Sequence, residues 1–337
     1  MAKKRAVSLA FASALMLSAC ASQTEPPAPA SAKVAEAVVA KETFSKIAAE
    51  VNKNIAEADA AADANKLGAR IGDRLRRDRD ARYRLKRVLG NSYNIPPVVV
   101  DEKAVPVSSG AAFPRTIMAV AAPNNQQNLP SLTIWNQLNA RDQYHLWGQV
   151  QIFPGVQAPK LKASLTNQTG KLTDDPKKYA VDPNAVINAY VEYNKSRQLT
   201  TVPFSAGDPL FTQISKQQDN LAQTIGDNGT VQTHFAAGPE PVQAVATEDG
   251  GILIVNELAY SVYVAKTKEG ATLKLRGDIG AMFSQDANNA IVDVDKPVVA
   301  QYSALIAFYV PPQNAQDKTV KVLGASVPTL LSVSKEG

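Results

Sequence analysis

Few residues of this chain carry side chains that commonly perform catalytic or metal chemistry. It has one cysteine, Cys20, and two histidines, His145 and His234. Neither histidine has a cysteine or a carboxylate at metal-ligand spacing, so we expect both to be half-buried strand residues rather than zinc ligands or bases. Ser332 and Lys335 match the Ser-x-x-Lys spacing of a serine nucleophile with a lysine base. We expect no catalysis there, because both fall among the last six residues, where chain ends fray.

The remaining candidates also favour structural roles. Asp293 and Asp295 could face one side of a strand and hold Ca²⁺, but one pair supplies too few of the roughly six to eight oxygens required. Solvated surface is therefore the favoured interpretation. The chain contains no phosphate-binding glycine loop and no zinc-protease or serine-hydrolase motif. The sequence predicts no metal, no cofactor and no enzymatic activity.

Four aromatic residues fall along two neighbouring predicted strands and could form a platform for a sugar or a lipid. An ordinary core and half-buried sheet positions are favoured over that platform. The four residues are Trp135, Tyr144, Trp147 and Phe153.

The first 20 residues have the anatomy of a cleavable export signal. Lys3, Lys4 and Arg5 form a cationic start, and a short apolar run from Ala6 to Met16 follows. That run is far shorter than the roughly 20 residues that a transmembrane helix needs. Small residues then lead into Cys20, where a buried core thiol would be out of place.

The stretch Leu17-Ser-Ala-Cys20 resembles the lipobox of bacterial lipoproteins. The resemblance implies that a signal peptide, residues 1–19, is cleaved between Ala19 and Cys20. It also implies that diacylglycerol is attached to the Cys20 thiol, that the new amino group is acylated, and that palmitate labels the protein. Two or three acyl chains hold a protein stably on a membrane, whereas one alone binds reversibly.

Removal of the leader changes the charge of the chain. The leader carries three basic residues and no acidic one, so the net charge falls from +5 to +2. A nearly neutral exported chain gives no electrostatic reason to expect a nucleic-acid partner. With Cys20 committed to lipid, no disulfide is available, and stability must come from burial of a core.

Residues 20–34 lack large apolar side chains and predict a lipidated cysteine followed by a flexible tether. An amphipathic helix is predicted from about Ala35 to Leu67-Gly68, because apolar residues from Phe44 to Ala62 recur every three or four positions. A second helix, ending before Gly90-Asn91, carries the densest charge run of the chain, from Arg70 to Arg87.

Two interpretations of this charge run are open. It could be a patch for anionic lipid or another polyanion, or a solvated helix face with its own counter-charges. The second is favoured, because Asp73–Arg77, Asp78–Arg82 and Asp80–Arg84 all stand at i,i+4.

Downstream of Pro96-Pro97 the pattern is that of strands, beginning with Val98–Val100. Helix starts are predicted at Asp182-Pro183 and Asp208-Pro209, and Glu248-Asp-Gly-Gly251 predicts a hairpin turn.

Helices followed by strands, twice over, predict an α+β fold. We expect two lobes, residues 35–180 and 181–337, each with helices packed into the concave side of a curved antiparallel sheet. That arrangement is similar to a cystatin-like or SnoaL-like cone.

The segments Phe113-Pro-Arg-Thr-Ile-Met-Ala-Val and Tyr144-His-Leu-Trp-Gly-Gln-Val, with Phe153-Pro-Gly, resemble actinobacterial surface lipoproteins whose ectodomain has no assigned activity. The resemblance implies an address on the outer face of the plasma membrane and brings no functional residues with it. In a Gram-negative host the address would be the outer membrane, because Ala21 and not aspartate follows Cys20.

The sequence predicts an extracytoplasmic lipoprotein held on the membrane by Cys20, with a non-enzymatic binding or scaffolding role in the cell envelope. Its partner would be an envelope protein or a ligand. A carrier of a small apolar ligand or lipid is the first alternative, and a hydrolase with dispersed catalytic residues is the second.

Overall fold

The structure is a computed structural model that describes residues 39–109, 113–121, 129–161, 175–205 and 207–336. The predicted signal peptide, residues 1–19, and the lipidated cysteine with its tether, residues 20–34, lie outside the described residues. Ala35–Gly337 form one compact unit. In the described residues no helix is both long enough and apolar enough to cross a bilayer.

The described residues form five α-helices and twelve strands, which confirms the α+β class. The helices are α1 (Lys41–Ala61), α2 (Asp73–Leu89), α3 (Val186–Ser196), α4 (Pro209–Ile225) and α5 (Gly277–Ser284). The strands are β1 (Val107–Ser108), β2 (Arg115–Ala121), β3 (Ser131–Gln137), β4 (His145–Ile152), β5 (Gly229–Ala237), β6 (Gln243–Ala246), β7 (Ile252–Lys266), β8 (Lys274–Leu275), β9 (Val292–Asp293), β10 (Val298–Val310), β11 (Lys321–Ala325) and β12 (Thr329–Lys335).

Helix α1 buries the apolar face that the sequence predicts, from Phe44 to Ala58. It ends at Ala61 and not at the predicted Leu67-Gly68, because Ala62 adopts a left-handed backbone with φ of 47°. The side chain of Asp63 then accepts from Asn65 N and caps a separate short turn.

Of the other predicted turns and helix starts, the helix start at Asp208 and the hairpin turn are confirmed, and the helix start at Asp182 is wrong. Asp208 caps α4 by accepting from Phe211 N at 3.0 Å, as predicted. Asp182 instead accepts from Asn184 N within a turn, and α3 begins only at Val186. The hairpin at Glu248–Gly251 is confirmed, since β6 and β7 pair antiparallel across it and Gly250 has a φ of 87°.

The centre of the large sheet is one long antiparallel pair. Strands β7 and β10 stay in register from Val264↔Val298 to Ile252↔Val310. The far edge of β7 is shared by β5 and β6, and the far edge of β10 is shared by β11 and β12. Strand β11 then pairs with β4, which continues the sheet through β3 and β2 to β1.

The sheet curls until its two ends meet. Thr116 in β2 donates to Gln243 in β6 at 2.8 Å, although these strands stand at opposite ends of the pairing order. Alternate residues of the curled strands point inward and fill one buried core. That inner core contains Met118, Leu132, Ile134, Trp147, Val150, Ile152, Val245, Leu253, Val255, Leu305, Ala307 and Leu323.

The helices pack on the outer surface of this curled sheet. Helices α1 and α2 cover the outward residues Ile117, Trp135 and Leu146 of β2, β3 and β4. Helices α3, α4 and α5 cover outward residues of β5, β7, β10 and β11. The predicted cystatin-like arrangement is therefore not confirmed, because the concave side is filled by the side chains of the strands and not by helices.

The predicted division into lobes 35–180 and 181–337 is wrong. Strand β4 of the first segment pairs with β11 of the second, with Ile152 opposite Gly324 and Gln151 opposite Ala325. The inner core also takes residues from both segments. One sheet runs through both predicted lobes and its inner core joins them, although the cluster beneath α1 draws only on residues 39–146.

The junction between β4 and β11 depends on the absence of a side chain at Gly324. A Cβ atom there would lie 2.2 Å from the backbone oxygen of Gln151, which cannot rotate away. We expect Gly324→Ala to force the two strands apart and to lower the free energy of unfolding by about 1–3 kcal/mol. Urea unfolding measures the loss. Lys321→Ala, at an exposed position of the same strand, is the control, and equal stability of the two variants would contradict the close approach.

Candidate functional site

The candidate catalytic residues are not brought together. His145 is half-buried, and its Nε2 lies 3.7 Å from Asp142 Oδ1. His234 lies in β5 as predicted, but its side chain is exposed because it points away from the sheet core. The predicted fraying of Ser332 and Lys335 is wrong, since both lie in β12, paired to β10. Ser332 Oγ donates to a glutamine and Lys335 pairs with a carboxylate, so no Ser–Lys dyad forms.

The other candidates form ordinary contacts. Asp293 pairs with Lys274 at 3.3 Å, and Asp295 pairs with Lys335. Throughout the described ranges, no three His, Cys, Asp or Glu side chains are grouped to hold a metal ion.

The proposed aromatic platform does not form. Trp135 packs outward against Phe44 at 5.5 Å between ring centroids, whereas Trp147 belongs to the inner core. The two tryptophans lie on opposite faces of the sheet, which confirms the expectation of core positions.

The environment of the charge run on α2 differs from the one that either interpretation of the sequence predicts. Both interpretations require exposed side chains, yet Arg74, Asp78, Arg79 and Arg82 are buried, with 1–7% of their surface accessible. Of the three predicted i,i+4 pairs, Asp80–Arg84 is within ion-pair distance, at 3.4 Å. The solvated-face interpretation is therefore wrong for this stripe of the helix.

The arginines of α2 are bonded to backbone oxygens from distant segments. A guanidinium offers five N–H donors in a rigid plane, so one side chain can satisfy several buried carbonyls. The acceptors are the carbonyls of Ala64 and Gly68 for Arg76, Pro96 for Arg79, Val327 for Arg82, Leu331 for Arg84 and Ala62 for Arg87.

The beginning of α2 is fixed against the sheet. Gly72 N donates to Leu146 O at 2.9 Å, and Leu146 N donates to Arg70 O at 2.8 Å, so the chain before the helix runs beside β4. From this position Arg74 and Arg77 reach residues on the inner face of the curled sheet.

Arg74 and Arg77 meet a buried carboxylate there. Glu257 of β7 points inward, in the same alternation as Val255, and has 2% of its side chain exposed. Arg77 pairs with it directly, and Arg74 Nε lies 3.8 Å from it. Arg74 Nη2 also donates to Ser303 Oγ at 3.1 Å, and Ser303 donates in turn to Glu257.

The second carboxylate of this cluster is Asp78, one helical turn after Arg74. Its Oδ2 lies 3.1 Å from Arg74 Nη2. Burial raises the pKa of Asp78, and the charge of Arg74 opposes that shift. Burial likewise lowers the pKa of Arg74, against the attraction of Asp78 and Glu257. Desolvation is thus the dominant cost in this cluster, and mutual pairing offsets it.

A cavity of about 660 Å³ lies beside the cluster, on the outer face of β3, β4 and β11. Its cover is an irregular segment, residues 96–103, which we call the strap. The predicted strand Val98–Val100 is part of this segment and is not a strand. Backbone groups of the strap bond to side chains and not to a neighbouring strand, so the strap is not part of the sheet.

The strap is held at three points. Asn52 of α1 donates to Val100 O and accepts from Val100 N, each at 2.9 Å. Gln149 of β4 donates to Val99 O at 2.8 Å, and Arg79 donates to Pro96 O at 2.7 Å. We name the space between the strap, α2 and the sheet the strap cavity.

One stripe of α2 forms the charged side of the strap cavity. Arg74, Asp78 and Arg82 succeed one another at intervals of four and all line it. Valine, proline and leucine side chains form its apolar side, together with Ala121. This mixed lining suits binding of a small molecule. Among the described lining residues there is no cysteine, which could act as a nucleophile, and no histidine, the usual general base that activates one.

The sequence contained a signal for this site that goes beyond the separate i,i+4 ion pairs considered above. Charged residues at positions 74, 78 and 82 form one continuous stripe, whereas Asp73–Arg77 and Asp80–Arg84 lie on neighbouring stripes. A stripe beginning and ending in arginine has more positive than negative charge and needs acceptors from outside the helix.

Neither a protein-family model, a curated protein nor a solved structure matches this chain.

The buried pairing around Glu257 predicts a large effect on stability. Glu257→Gln keeps the shape of the side chain but leaves Arg74, with 1% of its side chain exposed, without its second carboxylate. We expect the free energy of unfolding to fall by about 3–5 kcal/mol, the range for breaking a buried ion pair on one side.

Denaturant unfolding measures this loss. The control is Glu192→Gln, which breaks the exposed Glu192–Lys195 pair, with 61% and 44% of the side chains accessible. An exposed pair contributes about 0–1 kcal/mol. Similar losses for the two variants would show that Glu257 does not compensate a buried charge.

Proposed function

We propose that this protein is a lipid-anchored lipoprotein of the outer face of the plasma membrane, whose folded unit is a non-enzymatic binding module. The strap cavity is its binding site. In a Gram-negative host the address is the outer membrane. The observation that carries the proposal is a cavity of about 660 Å³ that combines an apolar side with a stripe of polar groups, because such a mixed lining is typical of sites for small molecules.

The leader and Leu17-Ser-Ala-Cys20 support the address. Two or more acyl chains on Cys20 give stable attachment. Residues 21–33 are rich in proline and small side chains, and this composition suits a spacer between the anchor and the folded unit.

The size and the rigidity of the strap cavity support small-molecule binding over a purely scaffolding role. About 660 Å³ falls within the roughly 300–1,000 Å³ of sites for small ligands. The contacts of Asn52, Gln149 and Arg79 fix the strap, so the cavity exists without induced folding and little ordering is needed on binding.

The two alternatives have less support. A wholly apolar ligand would leave Asp78 and Arg82 without polar contacts from the ligand. A hydrolase would need an activated nucleophile. The serine hydroxyls among the described lining residues instead accept hydrogen bonds from other protein groups. Ser131 Oγ accepts from Gln149, and Ser326 Oγ accepts from Leu305 N.

The anchor predicts a simple labelling result. Cys20→Ala removes the thiol that accepts diacylglycerol, so we expect the uncleaved precursor to accumulate and radioactive palmitate to be absent from the protein. Globomycin should leave the unmodified protein uncleaved as well. Thr24→Ala, in the spacer, is the control and should be processed normally. Labelling of the Cys20→Ala variant would refute the anchor.

The binding role predicts that a small molecule travels with the protein. We expect native mass spectrometry of residues 20–337 carrying Cys20→Ala, exported by its own host behind a signal peptide without a lipobox, to show a bound mass. Val327→Trp should reduce that mass severalfold, because Val327 lines the strap cavity while only its backbone oxygen contacts Arg82. Leu138→Trp, at an exposed position outside the cavity lining, should not. A bare protein mass in every variant would count against the binding module.

A further inference from the structure

The polar groups of the strap cavity define what a ligand must bring, and the inference drawn from them rests on the binding role proposed above. Three arginines line the cavity, which at first favours an anionic ligand. The hydrogen bonds of these arginines favour a different one.

The guanidinium groups already donate to the protein. Arg79 donates from its two terminal nitrogens to Pro96 O and Asp59 Oδ1. Arg82 donates from its Nη2 to Val327 O at 2.7 Å and to Thr329 Oγ1 at 2.8 Å, and more distantly from Nη1 to Tyr93 OH. A ligand carboxylate would therefore find no open pair of N–H groups on Arg79 or Arg82, and such a pair is what makes arginine bind carboxylates well.

Two buried side-chain atoms of the cavity lining have no hydrogen-bond partner within the described residues, Arg74 Nε and Asp78 Oδ1. Arg74 Nε faces Glu257 Oε2 at 3.8 Å and belongs to the ion cluster, so the group left for a ligand is an acceptor. Asp78 Oδ1 is buried and has no hydrogen-bond donor within the described part of the chain. Arg77 Nη2 lies 3.7 Å from this oxygen, which is too far for a hydrogen bond. Asp78 lines the cavity, and a buried carboxylate oxygen without a donor is destabilising. A ligand in this cavity gains most by donating a hydrogen bond to Asp78.

The charge of that donor follows from its neighbours. Arg74 and Arg82 stand one turn before and after Asp78 on the same stripe, so an ammonium group would meet two cations at close range. A hydroxyl group donates without positive charge and can accept from the weakly engaged Arg82 Nη1, whose present contact with Tyr93 OH is 3.4 Å. The apolar side of the cavity, including Leu75, Val98 and Ala121, would cover a hydrocarbon portion.

We propose that the strap cavity binds a neutral amphiphile whose polar head donates a hydroxyl hydrogen bond to Asp78. The chemical class is that of an alkyl glycoside or a glycolipid, and neither a fatty acid nor an alkylammonium compound belongs to it.

Titration calorimetry with three eight-carbon probes tests the chemistry of the head group. The protein is residues 20–337 with Cys20→Ala, and the probes are octyl β-glucoside, octanoate and octylammonium, each kept below its micelle concentration. We expect octyl glucoside to bind at least tenfold more tightly than the two charged probes. Equal or tighter binding of octanoate or of the ammonium compound would overturn the inference.

Two variants assign the interaction to Asp78. Asp78→Asn keeps an oxygen for Arg74 but presents an N–H to the cavity, so we expect the Kd for octyl glucoside to rise at least tenfold. Asp80→Asn, on the more exposed side of the same helix, should leave the Kd unchanged. An unchanged Kd in Asp78→Asn would overturn the assignment. The probe comparison on the unsubstituted site decides the question even if Asp78→Asn does not fold.

The outcomes also separate this inference from the proposed function. If octyl glucoside does not bind, while Val327→Trp still removes a native ligand detected by mass spectrometry, the head-group chemistry is wrong and the binding module stands. If neither a probe nor a native ligand is detected, both are wrong. A loss of octyl glucoside binding in Val327→Trp supports both.

Discussion

The burial of the arginines on α2 is the constraint to which the surrounding structure is fitted. A guanidinium stays protonated in a protein interior, so each buried one needs acceptors around its plane. Helix α2 carries seven arginines and three aspartates, so its own carboxylates are too few. The remaining acceptors come from the backbones of a short turn, the strap and a strand, and from Glu257 inside the curled sheet. These contacts act together with apolar packing of α2 against the strap and β12.

The same constraint produces the cavity. Helix α2 packs on Trp135 and Leu146, and polar contacts at the start of β4 and along β12 fix its position, so its polar stripe lines the space beside β3 and β4. Gln149 lies on that side of the sheet and donates to Ser131 and to the strap. A space with polar walls remains, covered by the strap. Polar positioning of a helix and a pre-formed site are thus one feature of this fold.

Much of the fold was predictable because it depends on local chemistry. The periodicity from Phe44 to Ala58, the cap at Asp208 and the turn at Glu248–Gly251 need only neighbouring residues, and each was correctly predicted. The site depends on contacts across the chain. Burial of Arg82 is decided by Thr329, 247 residues away, and no local pattern contains that information. The two-lobe prediction was wrong for the same reason, since β4 pairs with β11 through Ile152 and Gly324, residues that are also far apart in sequence.

The long reach of α2 also orders events in time. A polypeptide emerges from its N-terminus, so Arg84 is made 247 residues before the carbonyl of Leu331 that it contacts. Until β12 exists, Arg82 and Arg84 lack their final acceptors, and the edge of β10 that β12 occupies is open. The native state is complete only when the last few residues have arrived.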